Sequence, residues 1–332
     1  MVLCPYFGKC GGCLYQDMAF ETYLERKKAY VLRCFADYGL TPTLEKIATV
    51  PVHSRRRATF AFNKVHLGFN AYKSHQIIDI DSCLMLTDNL VALIPTLRNL
   101  AKTLGGTGDI HVLDTPFGID MHLKTAKSKD RPSLILLETL GEFVRSQPIA
   151  RLLYNNDPIA EKVALPFVPD VFLQPSQAGE DILIALMCEN IQNAKTAIDL
   201  FCGTGTFTKP LLKAGLTVMG YDSATDSVKA LGINGTVRDL FRNPLLPSEF
   251  DGVDFVVIDP PRAGAKAQIE QLAQTNVPKI VMISCNPSTC ARDVKVLLDN
   301  GWQLDKITPV DQFTYSNHIE LVCILSKKAE ML

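Results

Sequence analysis

The chain has 332 residues, 47% hydrophobic and 21% charged, and its 34 basic and 35 acidic residues leave a net charge of −1. That length is enough for two domains with full cores, and the balanced charge argues against a strongly basic, non-specific nucleic-acid binder while leaving room for a local basic groove. No apolar run approaches the ~18 residues of a membrane-spanning helix, and the segment from Met1 to Tyr6 lacks the basic and long apolar regions of a secretory leader. A cytoplasmic protein is expected, with its ten cysteines serving as thiols, metal ligands or catalysts rather than disulfides.

Residues 1–13 read as a cysteine–glycine loop. A helix is predicted over 15–38, where Tyr23, Leu24, Tyr30, Val31 and Phe35 recur at helical spacing and Glu21, Glu25, Arg26, Lys27 and Lys28 fall outside; Gly39 and Pro42 end it. Residues 47–80 read as strands, with Ala58–Phe62 and Val65–Phe69 flanking a turn at Asn63–Lys64 and Ile77–Ile80 leading to Cys83. A helix over 85–104 and three short strands between 109 and 140 complete an α+β domain spanning 1–165.

From residue 166 to 332 the pattern alternates. A helix over 177–193 is followed by strands at 196–201, 217–222, 254–259 and 279–284, a βαβ rhythm that implies a doubly wound parallel sheet. Two last strands, 302–310 and 318–326, have only a short connection and should pair antiparallel. An α/β sheet closed by an antiparallel hairpin is unlike the all-parallel dinucleotide fold and resembles the class I methyltransferase fold, which uses S-adenosylmethionine.

Three strand ends carry chemistry, at the edge where open α/β sheets keep their sites. The first, Asp199-Leu200-Phe201-Cys202-Gly203-Thr204-Gly205, opens into a glycine turn that lets a ligand approach the backbone, or that simply packs tightly in the core. Asp222, ending the next strand, is placed to accept ribose hydroxyls, the alternative being a helix N-cap. Asp239 is a weaker candidate near the base. The spacing Gly-x-Gly-x-Phe departs from the Gly-x-Gly-x-x-Gly of hydride-transfer enzymes.

The other two strand ends run into Asp259-Pro260-Pro261-Arg262 and Ser284-Cys285-Asn286-Pro287. Cys285 stands before a predicted helix (288–299) whose dipole would lower its pKa; its alternative is a small buried hydrophobe. The antiparallel last strand would bring Glu320 beside Cys285, unless Glu320 merely faces solvent at a strand end. A thiol and a carboxylate suit methylation of pyrimidine carbon 5. Thiolate addition at carbon 6 makes carbon 5 nucleophilic, and a base then removes its proton.

With those residues in view, the chain resembles the RNA uracil-5 methyltransferases that act on tRNA or 23S ribosomal RNA. The resemblance spans nearly the whole sequence and rests on Phe172-Leu173-Gln174-Pro175-Ser176, Asp199–Gly203, Asp259–Arg262, Ser284–Pro287 and His318-Ile319-Glu320-Leu321-Val322. It implies Cys285 as nucleophile, Glu320 as base, and Gln174, Phe201, Asp222 and Asp259 around the methyl donor beside Gly203, with Asp259 also orienting the target base. Ser176, Thr206 and Asp222 stand where the family often has Asn, Asn and Glu.

Cys4, Cys10 and Cys13 follow Cys-x5-Cys-x2-Cys, with Cys83 as a fourth thiol. Zinc, unpaired core thiols and an iron–sulfur cluster all remain open; three-plus-one spacing favours the cluster. The ribosomal-RNA members of the resembling family carry a 4Fe–4S cluster on cysteines so spaced, which implies one here as a brace for the loop. Cys34, Cys188, Cys202, Cys290 and Cys323 read as core. Arg55-Arg56-Arg57, with Lys64, Lys73 and His75, is the best basic patch for RNA, its alternative being a solvated charge run. The target base must leave its stack to reach a buried thiol. Many relatives carry a small β-barrel RNA-binding domain before the cysteines, and this chain is expected to lack it. A monomer acting on 23S rRNA is expected, with tRNA as the alternative; the rivals are an iron–sulfur oxidoreductase with a nucleotide cofactor and a non-catalytic RNA-binding protein.

Overall fold

The computed structural model describes residues 4–126, 132–169 and 171–328. In chain order its first half holds α1 (Phe20–Ala36), β1 (Ala48–Thr49), β2 (Arg57–Phe62), β3 (Leu67–Asn70), β4 (Ile77–Asp79), α2 (Asp88–Leu104), β5 (Gly108–Thr115), β6 (Gly118–Thr125), α3 (Leu134–Ser146), β7 (Ile149–Tyr154) and β8 (Asp157–Glu161). Its second half holds α4 (Gln177–Cys188), β9 (Thr196–Leu200), α5 (Thr208–Lys213), β10 (Thr217–Asp222), α6 (Thr225–Lys229), β11 (Gly235–Val237), β12 (Phe255–Ile258), α7 (Lys266–Leu272), β13 (Lys279–Ser284), α8 (Pro287–Asp299), β14 (Trp302–Asp311) and β15 (Glu320–Lys327).

Two sheets result. One has seven strands in the order β4-β3-β2-β5-β6-β7-β8, antiparallel except for the β6–β7 pair. The amphipathic helix α2 covers it, burying Leu90, Leu93, Ile94, Leu97 and Leu100 among Phe60, Phe62, Leu67 and Met121. The other has eight strands in the order β1-β14-β15-β13-β12-β9-β10-β11. Its centre is parallel, and β15 lies antiparallel between β13 and β14, as the two last strands predict. Every residue of β12 is buried, as a strand covered by helices on both faces must be.

Three expectations are corrected. Residues 109–140 hold two described strands rather than three. The apolar run at Leu134, inside that span, starts helix α3, whose N-cap Ser133 accepts a hydrogen bond from the Leu136 amide. Lys27, expected outside, is buried: its ammonium pairs with Asp311 and donates to the His318 carbonyl at 2.6 Å. Residues 20–49 also cross the expected division at 166. Val31, Phe35 and Ile47 share a core with β12, β13 and α8, and β1 adds to the eight-stranded sheet beside β14.

Candidate active site

The β13–β15 register decides the site. Ser284 stands opposite Leu321, so one step further along both strands Cys285 stands opposite Glu320. The neighbouring strand β12 ends at Ile258 and delivers Asp259 beside them. Next, β9 ends in Phe201 and the glycine loop, and β10 in Asp222. The seven residues singled out at these strand ends and before α4, namely Gln174, Phe201, Gly203, Asp222, Asp259, Cys285 and Glu320, line one cavity of about 910 Å³.

Burial governs the electrostatics at its floor. Glu320 is 5% exposed, and desolvation pushes its carboxyl up to about 7, against a hydrogen bond from Gln312 and the positive charges of Arg262 and Lys27. Asp259 is raised by burial and by the neighbouring Glu320 and Asp199. The Cys285 thiol is pushed up to about 11, first by burial and then by Glu320 and Asp259, with Arg262 opposing. The shift is upward, where a helix dipole was expected to lower the value; burial beside two carboxylates is its cause, and Asn286, not Cys285, caps α8. The alternative readings fail on position, since Cys285 is only partly buried and lines the cavity, and Glu320 is not solvent-facing.

Gln174 ties the acids together. Its Nε2 donates to Asp259 Oδ2 at 3.5 Å, and its Oε1 accepts from Gln312 Nε2 at 2.9 Å. Gln312, which also donates toward Glu320, joins this cluster although the sequence did not reveal it. Its only outward sign is a nearby glycine: a Cβ on Gly179 would lie 2.5 Å from the Gln312 Oε1.

On the other side of the cavity, Gly203 has φ +52°, and a Cβ there would meet nothing within 4 Å, so its backbone faces open space. Asp222 accepts from the Gly203 amide at 3.0 Å and the Ala224 amide at 2.8 Å; it is not a helix N-cap, because Ala224 holds that position before α6. Phe201, itself at φ +64°, meets Phe241 with ring centroids 5.4 Å apart. An open glycine backbone, an acid and a pair of rings match an adenosine moiety. Asp239 turns to its own loop, accepting from the Phe241 and Arg242 amides, and does not line the cavity.

The arginine triplet does not form a patch. Arg56 is buried: it donates to the Gln174 carbonyl at 2.9 Å and pairs with Glu180 at 2.7 Å, bracing the segment that carries Gln174. The Arg57 guanidinium lies 5.0 Å over the ring of Phe172, at the mouth of the large cavity. Arg55 turns the other way, 5.6 Å over Phe313.

Arg55 reaches a second cavity, of about 610 Å³, lined by Cys4, Cys10, Cys13 and Cys83 and by the 312–318 loop. Burial raises the Cys13 thiol to about 11 and raises Cys10 and Cys83, with repulsion from neighbouring thiols adding to these three shifts. The Gly12 amide donates to Cys10 Sγ at 3.4 Å, the Met85 and Leu86 amides point at Cys83, and Arg55 favours the thiolate there. Four thiols with amide donors and a nearby guanidinium fit a thiolate-bound metal centre in donor chemistry. Among the described residues, however, no three His, Cys, Asp or Glu side chains stand in metal-holding geometry.

A parallel sheet with an inserted antiparallel β15, a glycine loop and an acid at the next strand end define a class I S-adenosylmethionine-dependent methyltransferase. Comparison with known proteins narrows this. The family described as tRNA (Uracil-5-)-methyltransferase matches residues 246–328. An uncharacterized RNA methyltransferase of Agrobacterium fabrum is 34% identical over 348 residues, covering 96% of this chain and 83% of that protein. The 23S rRNA (uracil(1939)-C(5))-methyltransferase RlmD of Shewanella halifaxensis is 30% identical over 373 residues, covering 98% and 82%. Among solved structures, the tRNA (uracil-54, C5)-methyltransferase of Pyrococcus abyssi, in complex with S-adenosyl-L-homocysteine, shares the fold with a TM-score of 0.74 at 23% identity, covering 96% of this chain and 86% of that one. The chain belongs to the RNA uracil-5 methyltransferase family and is an S-adenosylmethionine-dependent RNA methyltransferase. Membership sets aside the oxidoreductase and non-catalytic readings. Among the described residues no helix is long and apolar enough to cross a membrane.

Proposed function

We propose that this enzyme methylates carbon 5 of a uridine in 23S ribosomal RNA through a covalent adduct between Cys285 and uracil carbon 6, with Glu320 as the base. The observation that carries the reading is the juxtaposition of Cys285 and Glu320 on adjacent strands at the floor of one large cavity. When bound, S-adenosylmethionine supplies an electrophilic methyl group; Gly203, Asp222, Phe201 and Phe241 hold its adenosine side.

Cys285 passes its proton to the Glu320 carboxylate opposite it, which releases it to water, as its sulfur bonds to carbon 6; the ring electrons move to carbon 5, which takes the methyl and leaves S-adenosylhomocysteine. Glu320 then removes the carbon 5 proton and the carbon–sulfur bond breaks, restoring the ring. A carboxyl poised at about 7 both takes and releases a proton at neutral pH, as this role requires. Gln174 and Asp259 orient the base. The high resting pKa of Cys285 keeps the thiol protonated until uracil arrives.

Cys4, Cys10, Cys13 and Cys83 would hold a 4Fe–4S cluster, supported by their shared cavity, amide donors and Arg55. Bound there, such a cluster would tie Cys4, Cys10 and Cys13 to Cys83 and so brace the N-terminal loop, while the methyl-transfer steps above use none of these thiols. The relative named for 23S rRNA and the four-thiol cavity favour ribosomal RNA; tRNA is the second reading, favoured by the family description. We further propose a cytoplasmic monomer.

In the test, Cys285→Ala abolishes methyl transfer to unmodified 23S rRNA and Glu320→Gln accumulates a covalent protein–RNA adduct; full turnover by Cys285→Ala refutes the mechanism. Mapping 5-methyluridine in RNA from cells lacking the protein identifies the site, and loss confined to tRNA selects the second reading. Iron and sulfide analysis after anaerobic purification tests the cluster, which stoichiometric zinc without iron would exclude.

A further inference from the structure

Within the arginine triplet Arg56 is buried on Glu180 and Arg55 turns into the four-thiol cavity, so the triplet offers RNA little continuous exposed positive charge. Helix α1 offers more. Arg26, Tyr30 and Arg33 recur at i, i+4 and i+7 and therefore share one face. Both arginines are exposed, and each lies against an aromatic ring: Arg26 is 4.8 Å from the ring centre of Tyr15, and Arg33 is 5.6 Å from that of Tyr30. This strip flanks the buried face of Tyr23, Lys27, Val31 and Cys34; Glu21 and Glu25 lie on the far side, and Asp37 ends it. Among the described residues no carboxylate comes within ion-pair distance of Arg26, Arg33 or Arg262.

The strip leads to the active site. Arg262 acts electrostatically on Tyr30 at the strip and on Cys285 and Glu320 at the cavity floor, and it lines the cavity itself. Guanidinium groups alternating with aromatic rings are the chemistry of single-stranded nucleic acid, where cations meet phosphates and rings stack on bases. A base that reaches a buried thiol must be unstacked, so its neighbours along the strand are single-stranded as well.

We infer that Tyr15, Arg26, Tyr30 and Arg33 on and before α1, continued by Arg262, form a track for the single-stranded RNA flanking the target uridine. The inference rests on the RNA-methylation reading of the cavity. Its test is separable, because it is read by binding rather than by turnover.

A fluorescein-labelled single-stranded RNA is titrated into the full chain and into an Arg26→Gln/Arg33→Gln variant, with fluorescence anisotropy followed across a salt series. The variant should bind about tenfold more weakly or worse, and the slope of log affinity against log salt should fall by about 1.4, two single-strand phosphates at roughly 0.7 each. Arg26→Lys/Arg33→Lys should recover the slope but only part of the affinity, since an ammonium lacks the planar stacking surface. Binding of S-adenosylmethionine, unchanged in both variants, shows that the fold is intact. An unchanged RNA affinity and salt slope in the Gln variant overturn the track whether or not the enzyme proves to methylate uridine. Failure of the wild type to methylate any uridine, with the slope change present, would overturn the mechanism and leave the track standing.

Discussion

Replacing Glu320 by Gln keeps the side chain's shape and removes its charge. In the folded chain its carboxyl is pushed from an ordinary 4.5 up to about 7, with burial as the leading cause. A folded value above the unfolded one means that the native state holds the proton where the unfolded state releases it. The resulting loss of stability therefore begins as pH rises past about 4.5 and is complete above about 7. At roughly 1.4 kcal/mol per pH unit, that interval amounts to about 3 kcal/mol at pH 8 and less than about 1 kcal/mol at pH 5. Glu320→Gln escapes this cost and also relieves the Asp259 carboxyl beside it. Urea unfolding of both proteins at pH 5 and pH 8 measures the difference, with the single tryptophan, Trp302, as reporter; it is buried and donates to the Ala273 carbonyl. The variant should lose turnover yet be more stable than the wild type, by a margin that grows with pH. A variant no more stable at pH 8 than at pH 5, relative to wild type, would refute the claim that the Glu320 carboxyl sits desolvated.

Other perturbations follow from the same geometry. Gln312→Leu removes the hydrogen bond that holds the Glu320 value down, so the rise of kcat with pH should move to higher pH, with about a tenfold or greater loss of kcat/KM at pH 7; a pH profile with an unmoved midpoint contradicts this. Asp222→Asn frees the Gly203 and Ala224 amides from a charged acceptor and should weaken S-adenosylmethionine binding by about 10- to 100-fold in calorimetric titration. Arg56→Met leaves Glu180 without its cation and the Gln174 carbonyl without its donor, so chemical denaturation should show a loss of about 3 kcal/mol or more. A loss below about 1 kcal/mol would mean that the pair is better solvated than its geometry indicates.

The legible parts of this molecule are those where one residue type is the only physical solution. Buried parallel strands must be apolar, which exposes β12 and β13, and the strand ends then fall at Asp259 and Cys285. The glycine loop shows because Gly205, at φ +88°, would drive a Cβ to 2.5 Å from Leu231. The short connection after β14 shows that β15 turns back, and its pairing with β13 then brings Glu320 to Cys285. What stayed hidden depends on partners far along the chain. Lys27 looks like a surface lysine until Asp311 is seen beside it, and Arg56 like part of a charge run until Glu180 is. Gln312 has no local pattern at all; its role exists only where Gln174 and Glu320 converge. Helix α3 went unseen among the short strands expected over 109–140 because an apolar tetrad fits a strand as well as a helix, and Leu134 and Ile135 are in fact exposed.

The buried tie between α1 and the β14–β15 connection has a consequence for synthesis. Tyr23 donates to Asp311 at 2.6 Å, its own hydroxyl accepts from the Tyr315 amide at 2.8 Å, and these partners lie 288 and 292 residues away in sequence. At roughly 5–20 residues per second, a ribosome extends the chain for about 15–60 s between exposing Lys27 and supplying the aspartate that neutralises it. The first helix spends that interval without its buried partners, and the hairpin that carries Glu320 cannot settle before β15 has left the exit tunnel. The pairing of Glu320 with Cys285 is thus withheld from a nascent chain until β15 has emerged.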